Sequence, residues 1–255
     1  MKSLLRLLKK TESFSALSIR LVYLTGKSSV PIHPKHLVKR NKLWFKSYLN
    51  RDDLILDIGC GSGVDLIKCA KYVRKAVGLD VDENSLSIAD SLLKKSNLKN
   101  IKLLKHDANQ KLPFKNSSFD KILCSDVLEH LKKRDFTLKE IKRVLKKNGS
   151  LFLVVDNPQT SWKRLLNSHG LFFYADSKHF YEYPLQEIKN VLKKNGFYIR
   201  SVSTITYDTP LKGFIDLVGG VSLTIYKLLG KWKQKMVKKY PQETTGYKIV
   251  AQKVL

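Results

Sequence analysis

The sequence predicts an α/β protein built on a doubly wound, mainly parallel seven-stranded sheet with helices on both faces. Three observations predict it: short apolar segments recur along the chain, a helical pattern follows most of them, and several of them end in glycine or a carboxylate. Wholly apolar strands of about four or five residues are typical of a parallel sheet that is covered on both faces. At 255 residues, the chain is long enough to bury a core of this kind.

The individual elements follow from apolar runs and from helical spacing. The predicted strands span residues 54–58, 76–80, 101–105, 121–124, 151–155, 197–206 and 247–254. Helices are predicted over residues 34–49, 64–72, 83–95, 127–133, 137–147 and 185–194, and residues 1–25 show a basic amphipathic helical pattern. This alternation of strand and helix predicts a single doubly wound sheet.

The composition narrows the class of protein and its compartment. Apolar residues make up 43% of the chain and charged residues 27%, which is typical of a folded globular protein. The cysteines Cys60, Cys69 and Cys124 form no CxxC pair, so we expect neither a disulfide framework nor a zinc site, and we predict a reducing, cytoplasmic location. The sequence shows neither a secretory signal nor a membrane-spanning segment.

The net charge of +26 has two interpretations, and the sequence leaves both open. It favours a nucleic acid, an anionic membrane surface or a phosphorylated substrate as a partner. It also fits a lysine-rich composition with no basic partner, because pairs such as Lys94-Lys95 and Lys193-Lys194 are scattered over predicted solvated helix faces. Arginine, which binds phosphate better than lysine does, is sparse, and this makes nucleic acid the less favoured partner.

The turn after the first predicted strand is the most informative segment, because ligands of open α/β sheets bind beyond the carboxyl ends of the strands. Its sequence is Asp57-x-Gly59-x-Gly61-x-Gly63. Gly59 permits a tight turn, Gly61 lets the backbone approach a ligand, and Gly63 allows close helix packing. The spacing differs from the GxGxxG pattern that is typical of dinucleotide-binding proteins.

Residues 54–156 resemble class I S-adenosylmethionine-dependent methyltransferases of the quinone-methyltransferase-like (methyltransferase type 11) branch, with weaker agreement onward to residue 206. The glycine turn is similar to their motif I, and Asp80 matches the acidic residue that binds both ribose hydroxyls. His106-Asp107-Ala108 matches the position where an Asp meets the adenine amino group, and residues 125–131 resemble the region after the fourth strand. The resemblance implies a Rossmann-like methyltransferase fold, methyl-transfer activity and S-adenosyl-L-methionine as the cofactor.

The sequence pattern predicts a division of the chain, and the resemblance implies a set of cofactor contacts. Residues 1–50 would form a helical, basic, amphipathic cap. Residues 51–157 would form the cofactor-binding methyltransferase core, and residues 158–255 the acceptor-side helices and final strands of the same domain. The residues that it implies in cofactor binding are Asp57, Gly59, Cys60, Gly61, Gly63, Asp80, Val81, Asp107, Ala108 and Ser125.

His130 follows the fourth predicted strand, near the expected position of the transferred methyl group. Phosphobase methyltransferases resemble this stretch and use a histidine there, so His130 is our candidate catalytic base. A second interpretation makes Asp126, Glu129 and His130 ligands of a divalent metal, although similar metal-dependent enzymes have Glu where this chain has Asp126. A third is structural: Asp126 caps a helix and Glu129 completes the capping box. We assign no metal, and His179 and Tyr181 are candidates for the acceptor pocket.

The segments outside the core favour a small or lipid-linked acceptor of quinone or glycan type, methylated on a hydroxyl. The N-terminal helix and residues 213–240 are apolar on one side and lysine-rich on the other, and Trp232 among lysines suits a lipid headgroup region. The whole chain also resembles methyltransferases of microbial surface-glycan and lipid-linked sugar loci. We therefore predict a cytoplasmic enzyme, peripheral at the inner face of a membrane. An RNA methyltransferase and a non-catalytic cofactor-binding partner subunit are the alternatives, and the oligomeric state stays open.

Overall fold

The computed structural model describes residues 1–38 and 43–254. Its backbone divides into two compact units, which we call the sheet unit and the helical unit. The sheet unit comprises Leu43–Asp156, Lys178–Ser203 and Tyr247–Leu255, and the helical unit comprises Met1–Lys42, Asn157–Ser177 and Thr204–Gly246. Each unit is therefore assembled from segments that are distant in sequence.

Seven strands form one mixed sheet in the order β3-β2-β1-β4-β5-β7-β6. They are β1 (Leu54–Ile58), β2 (Lys75–Asp80), β3 (Ile101–Lys105), β4 (Phe119–Ser125), β5 (Leu145–Asp156), β6 (Phe197–Thr204) and β7 (Gly246–Lys253). The five strands from β3 to β5 in this order pair in parallel. The backbone bonds Val254 N–H to Gly196 O and Ile205 N–H to Gly246 O show that β6 and β7 run in opposite directions. The predicted fold class is confirmed.

The helices are α1 (Lys2–Lys10), α2 (Phe14–Leu24), α3 (Val64–Ala70), α4 (Glu83–Ser96), α5 (Arg134–Val144), α6 (Ser161–Ser168), α7 (Leu185–Lys194), α8 (Lys212–Val221) and α9 (Leu223–Lys239). Two predicted helices are wrong in their described parts. Within 34–49, where residues 39–42 lie outside the description, there are only 3-10 turns at Pro34–His36 and Lys46–Tyr48. Within 127–133 only Leu128–His130 is helical, as a 3-10 turn. The N-terminal helix is interrupted by a 3-10 turn at residues 11–13.

Alternate residues of β1 pack into different cores, as the two-residue period of a strand requires. Leu56 and Ile58 belong to a cluster that includes Ile141 of α5 and Ile188 of α7. Ile55 belongs to another cluster, which also contains Leu66 and Cys69 of α3. Helices therefore cover both faces of the sheet, and the polar turns after the strands lie at its edge.

Close helix contacts and the buried carboxylate of Asp216 help to hold the helical unit together. A Cβ on Gly213 would lie 1.8 Å from Thr11 O, and one on Gly220 would lie 2.9 Å from Leu21 Cβ, so α8 approaches the N-terminal helices closely. Asp216 of α8 accepts hydrogen bonds from Ser15 and from Lys212 Nζ, the latter at 3.1 Å. In the described residues we find no helix with the length and apolar character that crossing a membrane requires.

Candidate active site

The glycine turn after β1 has the backbone that only glycine adopts readily. Gly59, Gly61 and Gly63 have φ values of +68°, +49° and +71°. A Cβ on Gly59 would lie 2.3 Å from Val127 Cγ2, whereas one on Gly61 would have no atom within 4 Å. Gly59 is therefore required by packing, and Gly61 leaves open space beside the backbone.

The Asp80 carboxylate joins the turns that follow β1 and β2. One oxygen accepts a hydrogen bond from Gly61 N–H at 2.7 Å, and the other accepts one from Asp82 N–H at 2.9 Å. Asp57, at the end of β1, is buried. Burial, and then the nearby charges of Asp65 and Asp80, raise the pKa of the Asp57 carboxyl well above its usual value.

A cavity of about 370 Å³ lies at the carboxyl ends of β1 and β2, between the segments that follow β3 and β4. This volume lies in the range of small-molecule sites. The cavity walls include Gly59, Asp80, Val81, His106, Asp107, Ala108, Asn109, Val127 and His130. The structure thus brings together six residues predicted from four separate turns: Gly59, Asp80, Val81, Asp107, Ala108 and His130.

The remaining predicted cofactor residues do not line the cavity: Asp57, Cys60, Gly61, Gly63 and Ser125. Two observations in this region fit an adenosyl ligand. His106 Nε2 is buried with no hydrogen-bond partner among the described residues, and the space beside Gly61 is open. Asp107 Oδ1 accepts hydrogen bonds from the backbone and side chain of Asn109, so it also holds its own turn. The specific cofactor contacts stay predictions.

Residues 56–153 match a family model described as a methyltransferase domain. This segment belongs to the methyltransferase-domain family. Together with the sheet, the match confirms for this segment the predicted resemblance to class I S-adenosylmethionine-dependent methyltransferases of the quinone-methyltransferase-like branch, a family whose cofactor is S-adenosylmethionine.

Curated relatives of the methyltransferase domain align with this chain over only part of their own length. A demethylmenaquinone methyltransferase of Lactobacillus johnsonii is 34% identical over 126 residues, which are 48% of this chain and 51% of the relative. A ubiquinone biosynthesis O-methyltransferase of Pelagibacter ubique is 33% identical over 104 residues, 40% of this chain and 42% of the relative. The chain therefore spans about half, or less, of the length of the curated relatives that it matches.

A solved structure shows the same fold over a longer span. The crystal structure of the YcgJ protein from Bacillus subtilis superposes with a TM-score of 0.59 at 18% sequence identity. The likeness covers 81% of this chain and 94% of that one. At this identity it supports the fold of the methyltransferase domain and carries no information about the acceptor.

The segment after β4 of the methyltransferase domain does not form the capping box. Asp126 has φ +56° and its N–H bonds to Val154 O. Glu129 is fully buried, and its Oε1 accepts a hydrogen bond from Asp156 N–H at 2.7 Å. The capping-box interpretation is therefore wrong, because Glu129 reaches across to the end of β5. Burial, and then the charges of Asp156 and Asp126, raise the pKa of Glu129 well above its usual value.

His130 of the methyltransferase domain lines the cavity and contacts a second histidine. Its ring packs edge-on against that of His179, with the ring centroids 4.5 Å apart. Tyr181 lies in the wall of a different cavity, of about 520 Å³, where its hydroxyl donates a hydrogen bond to Glu187. The structure thus places His179 beside the candidate base and Tyr181 elsewhere, and the acceptor role predicted for both residues stays a prediction.

Sequence reasoning missed the buried polar group around His179. His179 Nδ1 lies 2.9 Å from Glu182 Oε1 and 3.8 Å from Asp156 Oδ2. Glu182 stands in a segment without a recognisable motif, and Asp156 appears in the sequence only as the end of an apolar strand. A spacing of 23 residues between Asp156 and His179 carries no periodic signal, so only the tertiary structure reveals this group.

Proposed function

We propose that this protein transfers a methyl group from S-adenosylmethionine to a hydroxyl of a small or lipid-linked acceptor of quinone or glycan type. The observation that carries the proposal is the cavity at the sheet edge, where Gly59, Asp80 and Asp107 meet around one space. When bound, the cofactor supplies an activated methyl on a sulfonium with a good leaving group. The protein's main task is then alignment.

Different residues in and near the cavity support different parts of this proposal. The glycine turn offers close backbone approach at Gly61, and the adjacent Asp80 carboxylate has acceptor capacity for ribose hydroxyls. His106 Nε2, which has no hydrogen-bond partner among the described residues, and the turn at Asp107 would contact the adenine of the cofactor. His130 would accept the proton of the acceptor hydroxyl, with His179 supporting its ring.

The surface of α9 supports a lipid-linked acceptor at an anionic membrane. Ile225, Leu228 and Trp232 follow helical spacing and are 50%, 57% and 41% exposed. Lys227 and Lys231 flank them, and both line a groove of about 880 Å³ in the helical unit. Exposed apolar side chains bordered by lysines are what an interfacial helix needs. Two relatives of the domain are named for menaquinone and ubiquinone, which are lipids.

The identity of the acceptor is tested with cofactor carrying a labelled methyl group. The protein is incubated in parallel with a lipid and glycan extract of a bacterial membrane and with total RNA. We expect label in the lipid or glycan fraction. Label in RNA alone would establish the alternative that the charge of +26 favours, and binding of the cofactor without transfer to either fraction would support the non-catalytic partner subunit.

A further inference from the structure

Three potential metal ligands come together beside the candidate active site, within the sheet unit. Asp156 ends β5, and His179 and Glu182 lie in the segment before α7. One ligand atom from each of them lies within 4.8 Å of the others. Glu182 and His179 are buried, with exposed fractions of 1% and 8%, and Asp156 is half-buried. The end of β5 supplies one of the three positions, and the segment before α7 supplies the other two.

The surroundings of these residues carry an uncompensated buried acceptor. Glu129 is 0% exposed, and its Oε1 is held at 2.7 Å by the N–H of Asp156. Its Oε2 has no hydrogen-bond partner among the described residues. A buried carboxylate oxygen without a donor is costly, and like charges close together oppose ionisation. A cation beside Asp156 would offset the negative charge that Asp156 presents to Glu129.

We propose that Asp156, His179 and Glu182 form a binding site for one divalent transition-metal cation, of the Mn²⁺ or Zn²⁺ class. The donor set contains one imidazole and two carboxylates, which suits these ions better than Mg²⁺ or Ca²⁺. Two ligands that bind one cation at about 2.1 Å can be at most about 4.2 Å apart. His179 Nδ1 lies 2.9 Å and 3.8 Å from the two carboxylate oxygens, so both of its pairs meet this limit. The two carboxylates lie within 4.8 Å of each other, and metal binding would hold their oxygens within the limit.

The proposed metal site is a separate claim from the proposed methyl transfer. Cation binding can be measured without an acceptor or a cofactor, so either proposal can fail without the other. Bound metal would replace the direct contact between His179 Nδ1 and Glu182 Oε1. It would also fix the ring of His179, against which His130 packs. The site therefore differs from the metal interpretation of the sequence, which used Asp126, Glu129 and His130 as ligands.

Direct metal titration tests the proposal on the full chain. The protein is first stripped with a chelator, and Mn²⁺ is then added while the free ion is followed by electron paramagnetic resonance. Zn²⁺ is titrated separately by calorimetry. We expect one ion of either metal per chain, and a higher thermal midpoint with metal. Glu182→Gln and Asp156→Asn should each weaken binding at least tenfold, because each removes a charged ligand.

Asp90→Asn is the matched control, since it removes one negative charge from an exposed ion pair with Lys94 in α4. It should bind metal as the unaltered chain does. If Glu182→Gln does not fold, as circular dichroism would show, Asp156→Asn at its half-buried position provides the same test. Failure of the unaltered chain to bind either ion at 1 mM overturns the proposal, and so does equal affinity in the control and ligand variants. The three residues would then be a hydrogen-bonded group only.

Discussion

Alanine substitutions at Gly59 and Gly61 separate the folding role of the glycine turn from its binding role. Both residues have positive φ, at +68° and +49°, so alanine costs roughly 1–2 kcal/mol at either position. At Gly59 the new Cβ would also stand 2.3 Å from Val127 Cγ2, and displacing that side chain adds about 1–3 kcal/mol. We expect the free energy of unfolding to fall by about 2–5 kcal/mol in Gly59→Ala and by about 1–2 kcal/mol in Gly61→Ala.

The binding assay should rank the two variants differently. Nothing lies within 4 Å of a Cβ on Gly61, so the new methyl group would take up part of the open space beside the turn, which we propose that the cofactor occupies. Gly61→Ala should therefore stay folded and bind S-adenosylhomocysteine at least tenfold more weakly, a loss of about 1.4 kcal/mol. Urea unfolding followed by circular dichroism measures stability, and calorimetry measures binding.

A double variant isolates the clash. Gly59→Ala combined with Val127→Ala removes the γ carbons that the new Cβ meets, so the two substitutions should cost less together than the sum of their single costs. Equal unfolding free energies for Gly59→Ala and Gly61→Ala would refute the packing argument. Undiminished binding by a folded Gly61→Ala would refute the assignment of the open space to the cofactor.

Four further predictions concern other parts of the molecule. Asp80→Asn should weaken cofactor binding at least tenfold in calorimetry, because an amide replaces one acceptor oxygen by a donor. His130→Ala should lower the methyl-transfer rate about 100-fold with cofactor affinity unchanged, and an unchanged rate would leave only a packing role. Burial alone would raise the pKa of Asp216, but its polar and cationic neighbours lower it, so its stabilisation is full above about pH 4 and is lost as the pH falls further. Urea unfolding from pH 6 to 2 should show this loss in the unaltered chain and a smaller loss in Asp216→Asn, where Asp120 and Glu140, whose pKa values are also lowered, still contribute. Trp232→Ala should bind vesicles with one quarter phosphatidylglycerol about five- to tenfold more weakly, whereas Tyr198→Ala, an exposed aromatic of the sheet unit, should bind as before.

The sheet could be predicted because its signal is local. A strand buried on both faces must be apolar throughout, and the predicted bounds 54–58 and 101–105 agree with β1 and β3. The prediction of a helix over 185–194 is confirmed by α7, because apolar residues recur there at helical spacing and the Asn195-Gly196 pair that follows is typical of a helix end. The six predicted cavity residues could be identified from the predicted ends of the strands. Each of them stands directly after, or within a few residues of, such an end.

The features that the sequence did not predict depend on tertiary contacts. The segment from Asp126 to Glu129 has the sequence of a capping box, but the left-handed backbone at Asp126 turns the chain, and Glu129 pairs with β5. The apolar residues around Trp44 and Phe45 suggested a helix, yet they serve as aromatic packing against Phe152 of β5. The group of Asp156, His179 and Glu182 has no signature in sequence, because separate segments supply its members.

Photolabelling tests the central claim most directly. Ultraviolet irradiation of the full chain with S-adenosylmethionine carrying a labelled methyl group, followed by mass spectrometry of its peptides, locates the cofactor without any knowledge of the acceptor. We predict label in peptides that contain residues 59–63, 80–82 or 106–109, and its loss when excess S-adenosylhomocysteine is present. Label confined to the groove of the helical unit, or no label that the competitor removes, would contradict the proposed function.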